Sequence, residues 1–170
     1  KIRFFRKGHV VWSEIIHSVP VTYGKGVDLE AEEANAIIHN NYSTIEQYID
    51  RLNRYTSYQV SVVLKSGYKF NWIDLIKEPT SEFVTRYFQG NGYKDGIHGL
   101  ALALLQAFSE LVVYLKIWQN KNFEDKNIAS EKVIREIKDS QKEINYWSAD
   151  LLYKNSGSLK QRIKRKLKIL

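Results

Sequence analysis

The chain has 170 residues, 44% of them hydrophobic and 26% charged, enough for one domain with a real core. It has no cysteine, which excludes disulfides, thiolate chemistry and cysteine-ligated metals. The net charge of +7 equals the seven basic residues of the acid-free stretch Lys154–Leu170, so the rest of the chain is balanced and no body-wide basic face for nucleic acid is implied.

The chain starts at Lys1 and contains no methionine, and the expectation is a piece of a longer protein. Its opening, KIRFFRKGHVVW, is strand-like and has no apolar run of the signal-peptide kind. KIRFFRK and HVVWSEIIHSV are both β-rich, and Lys7-Gly8 between them predicts a hairpin turn. Pro20 and YGKG break regular structure, and ANAIIHN predicts one more short strand. His17 and His39 each end an apolar run. A histidine there can ligate a metal or contact phosphate, or simply hydrogen-bond at the edge of a core. Arg3 and Arg6 stand three apart, so on a strand they point to opposite faces and make a poor common clamp.

At Ser43 the period changes. STIE has the form of a capping box, with Ser43 as cap and Glu46 reaching back. Ile45, Tyr48, Ile49, Leu52 and Tyr55 follow at helical spacing and predict a helix to about Leu64, ended by Gly67. Trp72 to Ile76 predict a short helix stopped by Pro79, and Thr80 or Ser81 then caps another, with Phe83, Val84, Tyr87 and Phe88 on one face. QGNGYKDG reads as a loop.

The stretch Ile97–Trp118 approaches the ~20 apolar residues a membrane helix needs. His98, Gln106, Ser109, Glu110 and Lys116 form an imperfect polar arc along it, which a lipid-spanning helix does not need. The expectation is a core helix packed by its neighbours; a helix half-sunk at a membrane surface or in a subunit interface is the sharper alternative. A long helix is predicted from about Ile128 to Tyr153. Val133, Ile137, Ser140, Ile144, Trp147 and Leu151 form its heptad seam, the basis for expecting a homo-oligomer. After KNSGS, the tail repeats Leu159, Ile163, Leu167 and Leu170 on one stripe. Arg162, Lys164, Arg165, Lys166 and Lys168 lie around it, the pattern of a helix in a membrane interface.

These elements predict a mainly α chain with a small N-terminal β portion (α+β). The divisions are a β-rich part over 1–42, helices over 43–124, the long helix over 125–153 and the basic tail over 154–170. No complete catalytic set, phosphate loop or zinc spacing is present.

One ordered series remains: IRFFRKGHVVW, EIIHSVP, a Gly-containing turn, IIHNNYSTIEQYIDRLNRYT and GYKDGIHGLALALLQAF. Over about residues 1 to 118 it resembles the C-terminal part of bacterial family 2 glycosyltransferases, which add sugars to lipopolysaccharide cores and other surface glycans. The resemblance implies a GT-A fold whose N-terminal half binds the nucleotide sugar, with an Asp-x-Asp motif holding a divalent metal, Mg or Mn. This chain has no Asp-x-Asp. It would therefore be a C-terminal fragment of a GT-A enzyme plus a helical extension, with the catalytic base upstream and no activity alone.

Carried over by position, Arg3, Arg6, His39 and Tyr42 would contact substrate and His17 the metal. Ser18 stands where the family usually has Glu. The implied partners are a nucleotide sugar and a glycan or lipid-linked acceptor at the cytoplasmic face of the cell membrane. A module without enzymatic activity, made for helical oligomerisation or membrane-surface contact, is the alternative. Nucleic acid is not an expected partner, because the tail has no interleaved aromatics.

Overall fold

The computed structural model describes residues 4–13, 19–38, 42–125 and 127–169. It is 66% helical, with a two-stranded antiparallel sheet near the N-terminus, in agreement with the expected fold class. The chain divides into two compact units, residues 1–41 and 42–170.

In the first unit, β1 (Val10–Val11) pairs antiparallel with β2 (Val21–Thr22), Val10 opposite Thr22. The Tyr23 N–H extends the pairing by donating to the His9 carbonyl at 2.9 Å. Lys7-Gly8 does form a turn, closed by the His9 N–H on the Arg6 carbonyl at 3.0 Å, but Phe4–Arg6 is not a strand. Only Gly8, at φ 85, is left-handed in that turn, which is the type II pattern. Such turns splay the flanking segments, whereas hairpins favour turns left-handed at their first central residue. The strand expected in ANAIIHN is absent among the described residues. Glu33–Asn35 forms a 3-10 turn, and Asn35 Nδ2 donates to the Glu30 carbonyl at 3.1 Å.

Among the described residues the second unit holds five α-helices. α1 (Ile45–Lys65) is capped one residue later than predicted. Thr44 Oγ1 accepts from the Gln47 N–H at 3.3 Å, and Gln47 Oε1 accepts from the Ser43 N–H at 2.9 Å. The overlapping frame TIEQ supplies the cap, with the return bond of Gln47 going to the residue before the cap rather than to the cap itself as in a capping box. Tyr48, Leu52, Thr56 and Val60, four residues apart, form its buried face. Gly67, at φ 83, turns the chain out.

α2 (Asp74–Val84) runs through Pro79, so the expected break is not there. An interior proline costs about 3 kcal/mol. Packing against both the third and fourth helices offsets that cost. The helix continues as a π-turn over Thr85–Gln89, closed by the Gly90 N–H on the Thr85 carbonyl at 2.7 Å. Asn91, left-handed at φ 61, and a 3-10 turn over Gly92–Asp95 lead into α3 (Gly96–Gln119). Gly99 lies against this entry so closely that a Cβ on it would sit 1.8 Å from the Gly92 carbonyl oxygen.

α3 packs between α1 and α2, and Val60, Val113 and Ile117 centre the core with Tyr68, Phe70 and Tyr114 around them. α4 (Ser130–Ser156) packs on α2. Ser140 of its seam is buried and Ile144, Trp147 and Leu151 are half-buried, while Ile134 and Ile137 near its start are exposed. Gly157, at φ 65, ends α4, and α5 (Leu159–Leu167) folds back along it.

Candidate functional site

Arg3, His17, Ser18 and His39 lie outside the described residues. Arg6 is exposed in the first-unit turn. Tyr42 is half-buried in the second unit, its ring meeting that of Tyr48 edge-on at 5.0 Å. Among the described residues no group of three or more His, Asp or Glu is placed to hold a metal ion. The divalent metal implied by the resemblance therefore finds no ligand set there, and no chemical step is assigned to it.

The sequence did mark a polar arc on α3, and the structure aims most of it inward. Gln106 Nε2 approaches the Tyr48 hydroxyl at 3.4 Å. Glu110 is half-buried and accepts from Gln59; burial pushes its carboxyl up, and nearby Glu82 pushes it further. Lys116 Nζ lies within hydrogen-bonding distance of four α1 oxygens, which share its three N–H groups: the Asn53 carbonyl (2.8 Å), Asn53 Oδ1 (2.7 Å), Thr56 Oγ1 (2.9 Å) and Ser57 Oγ (2.8 Å). Burial pushes this ammonium down. Burial also pushes the Tyr48 hydroxyl up to about 12.

Because the polar stripe faces α1 and α2, the apolar residues on the other side of α3 face outward. Ile97, Leu104 and Phe108 are 78%, 53% and 45% exposed, and Ala101 and Leu115 continue the same row. α3 is thus packed by its neighbours, as expected of a core helix, but on one face only, and its other face is exposed. The heptad row Gly99, Ala103, Gln106, Glu110, Val113 and Ile117 is the packed face.

α5 is turned in the same unusual sense. Its inner side is held by Asp150 of α4, a residue the sequence reading had not singled out. Asp150 is buried and accepts from Arg165 Nη1 at 2.6 Å (Oδ1) and pairs with Lys154 Nζ at 2.8 Å (Oδ2). Burial raises the Asp150 carboxyl, but these two cations outweigh it and hold it below the usual range. The Arg165 guanidinium also lies over the Tyr153 ring, 5.1 Å from its centre. Asn145 Nδ2 donates to the Lys168 carbonyl at 3.2 Å.

Arg165 is thus committed to α4 and Lys164 is half-buried, while Arg162, Lys166 and Lys168 are exposed. Among the described residues none of these last four has an acidic partner. The stripe residues Leu159, Ile163 and Leu167 are 71%, 58% and 62% exposed.

A cavity of about 330 Å³ opens between the π-turn and α4. Phe88, Tyr93 and Trp147 line it together with Gln89, Asn91 and Lys154. Aromatic faces beside amide groups suit a ligand with both apolar and hydroxyl surfaces.

No protein-family model, no curated protein and no solved structure matches this chain.

Proposed function

We propose that this chain is the membrane-docking C-terminal part of a glycosyltransferase, one that moves a sugar from a nucleotide sugar to a surface-glycan or lipid-linked acceptor. One observation carries the docking: α5 turns Leu159, Ile163 and Leu167 outward beside Arg162 and Lys166, while Asp150 holds its inner side. An apolar stripe flanked by cations suits the acidic cytoplasmic surface of a membrane, where each cation contributes about 1 kcal/mol. The sugar-transfer part rests on the ordered motif series from Arg3 to Phe108. The aromatic and amide cavity beside Trp147 supports an acceptor contact in this region. Nucleotide-sugar and metal binding belong to the upstream half in this reading, so the chain alone does not turn over substrate.

Co-sedimentation with phosphatidylcholine vesicles, with and without phosphatidylglycerol, tests the docking. Binding is expected to need the acidic lipid, to weaken with salt and to fall in an Arg162→Gln/Lys166→Gln variant. Binding to acidic vesicles that is unchanged by these substitutions overturns docking through α5. Sugar transfer from a nucleotide sugar by the purified 170-residue chain would overturn the division of labour. A second reading, self-association, is favoured by exposed Ile134 and Ile137 at the start of α4.

A further inference from the structure

We infer that α3 is a second, uncharged membrane contact, lying in the plane of the bilayer with its Ile97–Leu115 row among the acyl chains. This rests on the docking reading and extends it from a surface charge interaction to an inserted helix.

Three observations choose lipid as the occupant of this face. The row Ile97, Ala101, Leu104, Phe108, Leu111 and Leu115 has no polar side chain over about 27 Å of helix. Protein interfaces carry about one hydrogen bond per 100–200 Å², and this row offers no side chain to make one, as hydrocarbon requires.

The polar side chains Gln106, Glu110 and Lys116 of α3 are also turned toward α1 and α2, beside the apolar Val113 and Ile117, and leave the outer row without a polar group; of the polar arc His98 is exposed, at the start of the helix. The same unit, finally, holds α5, whose outward stripe and exposed cations fit an acidic bilayer surface.

α3 is long and apolar enough to cross a membrane. Its ties to α1 set it in the plane instead. Lys116 is fastened to α1, whose exposed Asp50, Arg54 and Lys65 belong in water. From Gln106 to Ile117 one side of α3 therefore remains against a solvated helix.

The absence of cysteine makes the test direct. Leu104→Cys and Phe108→Cys, each labelled with an environment-sensitive fluorophore, report on the row; Arg54→Cys reports on α1. With phosphatidylglycerol-containing vesicles, labels at 104 and 108 are expected to shift to shorter wavelength and to be quenched by lipids carrying a nitroxide on the acyl chain. The label at 54 is expected to stay in water. A Leu104→Asn/Phe108→Asn variant is expected to bind vesicles at least about tenfold more weakly.

Vesicle-bound protein with the 104 and 108 labels still in water overturns the insertion of α3 and leaves docking through α5 standing. Burial of those labels without vesicles, rising with protein concentration, also overturns it and assigns the face to a second copy. Absence of any vesicle binding overturns the docking reading and this inference together.

Discussion

Lys116 on α3 donates to both oxygens of Asn53 on α1, the main-chain carbonyl at 2.8 Å and the side-chain Oδ1 at 2.7 Å. Thr56 and Ser57 complete the ring of oxygens without a carboxylate. The two helices are thus fastened by a charge held in neutral dipoles. Hydrogen bonds to a charged group contribute about 1.5–3 kcal/mol. Lys116→Ala is expected to destabilise the helical unit by roughly that amount, read from thermal unfolding by circular dichroism. Lys116→Arg should recover little of it, because a planar fork cannot match acceptors gathered around one point. Equal melting temperatures for the parent and Lys116→Ala would count against this fastening.

Glu110 gives a pH dependence of defined sign. Burial and Glu82 raise its carboxyl pKa in the folded state. Between the unfolded and folded values the folded chain holds the proton more tightly, so stability falls as pH rises through that window. Above it the charged form remains penalised. Glu110→Gln keeps the shape and removes the charge, so it is expected to raise the melting temperature at pH 7–8. The gain should vanish near pH 4, where the parent is itself protonated. A gain independent of pH would show that charge is not the cause.

Asp150 has the opposite sign. Lys154 and Arg165 hold its carboxyl below the usual range, so the stability it contributes is present above the unfolded value of about 4 and is lost as pH falls through the lowered one. Asp150→Asn is expected to release α5 before the rest of the unit unfolds. Hydrogen exchange should show faster exchange over Leu159–Leu167, with α1 and α3 unchanged. Uniform acceleration across all helices would instead make Asp150 a global support.

Gly99 tests the entry to α3. A methyl group there meets the Gly92 carbonyl oxygen at 1.8 Å, a backbone contact that no side-chain rotation relieves. Gly99→Ala is expected to cost more than about 2 kcal/mol, at the high end for a single added methyl. Gly157→Ala, which meets nothing within 4 Å and only strains a left-handed residue, should cost about 1 kcal/mol. Denaturant midpoints of the two variants decide the order.

Much of this fold was legible from residue spacing. α1, α3, α4 and α5 follow from apolar periods, because a helix announces itself through every third or fourth residue. Local chemistry was less decisive. Ser43 and Thr44 both head a sequence of the capping-box form, and the spacing alone does not say that Thr44 is the one the helix uses. Pro79 looked like a stop, but contacts on both sides of α2 outweighed it. The polar arc on α3 was visible, yet period alone does not say which side of a helix faces its neighbours. Gln106 and Lys116 acquire that meaning only once α1 is beside them. Asp150 was hidden for the same reason, since its partner Arg165 is fifteen residues away across a turn.

The outward row of α3 has a thermal consequence. Unfolding raises heat capacity chiefly by wetting apolar surface, normally about 12–15 cal/mol/K per residue. Ile97, Leu104 and Phe108, with the α5 stripe, are already wet in the folded chain. Their exposure adds little on unfolding, so calorimetry in water should give a heat-capacity step below that range, and a shallow stability curve with temperature. Polar contacts such as those of Lys116 and Asp150 then carry an unusual share of the fold's cohesion. Salt and pH should move the transition of this protein more than cooling does.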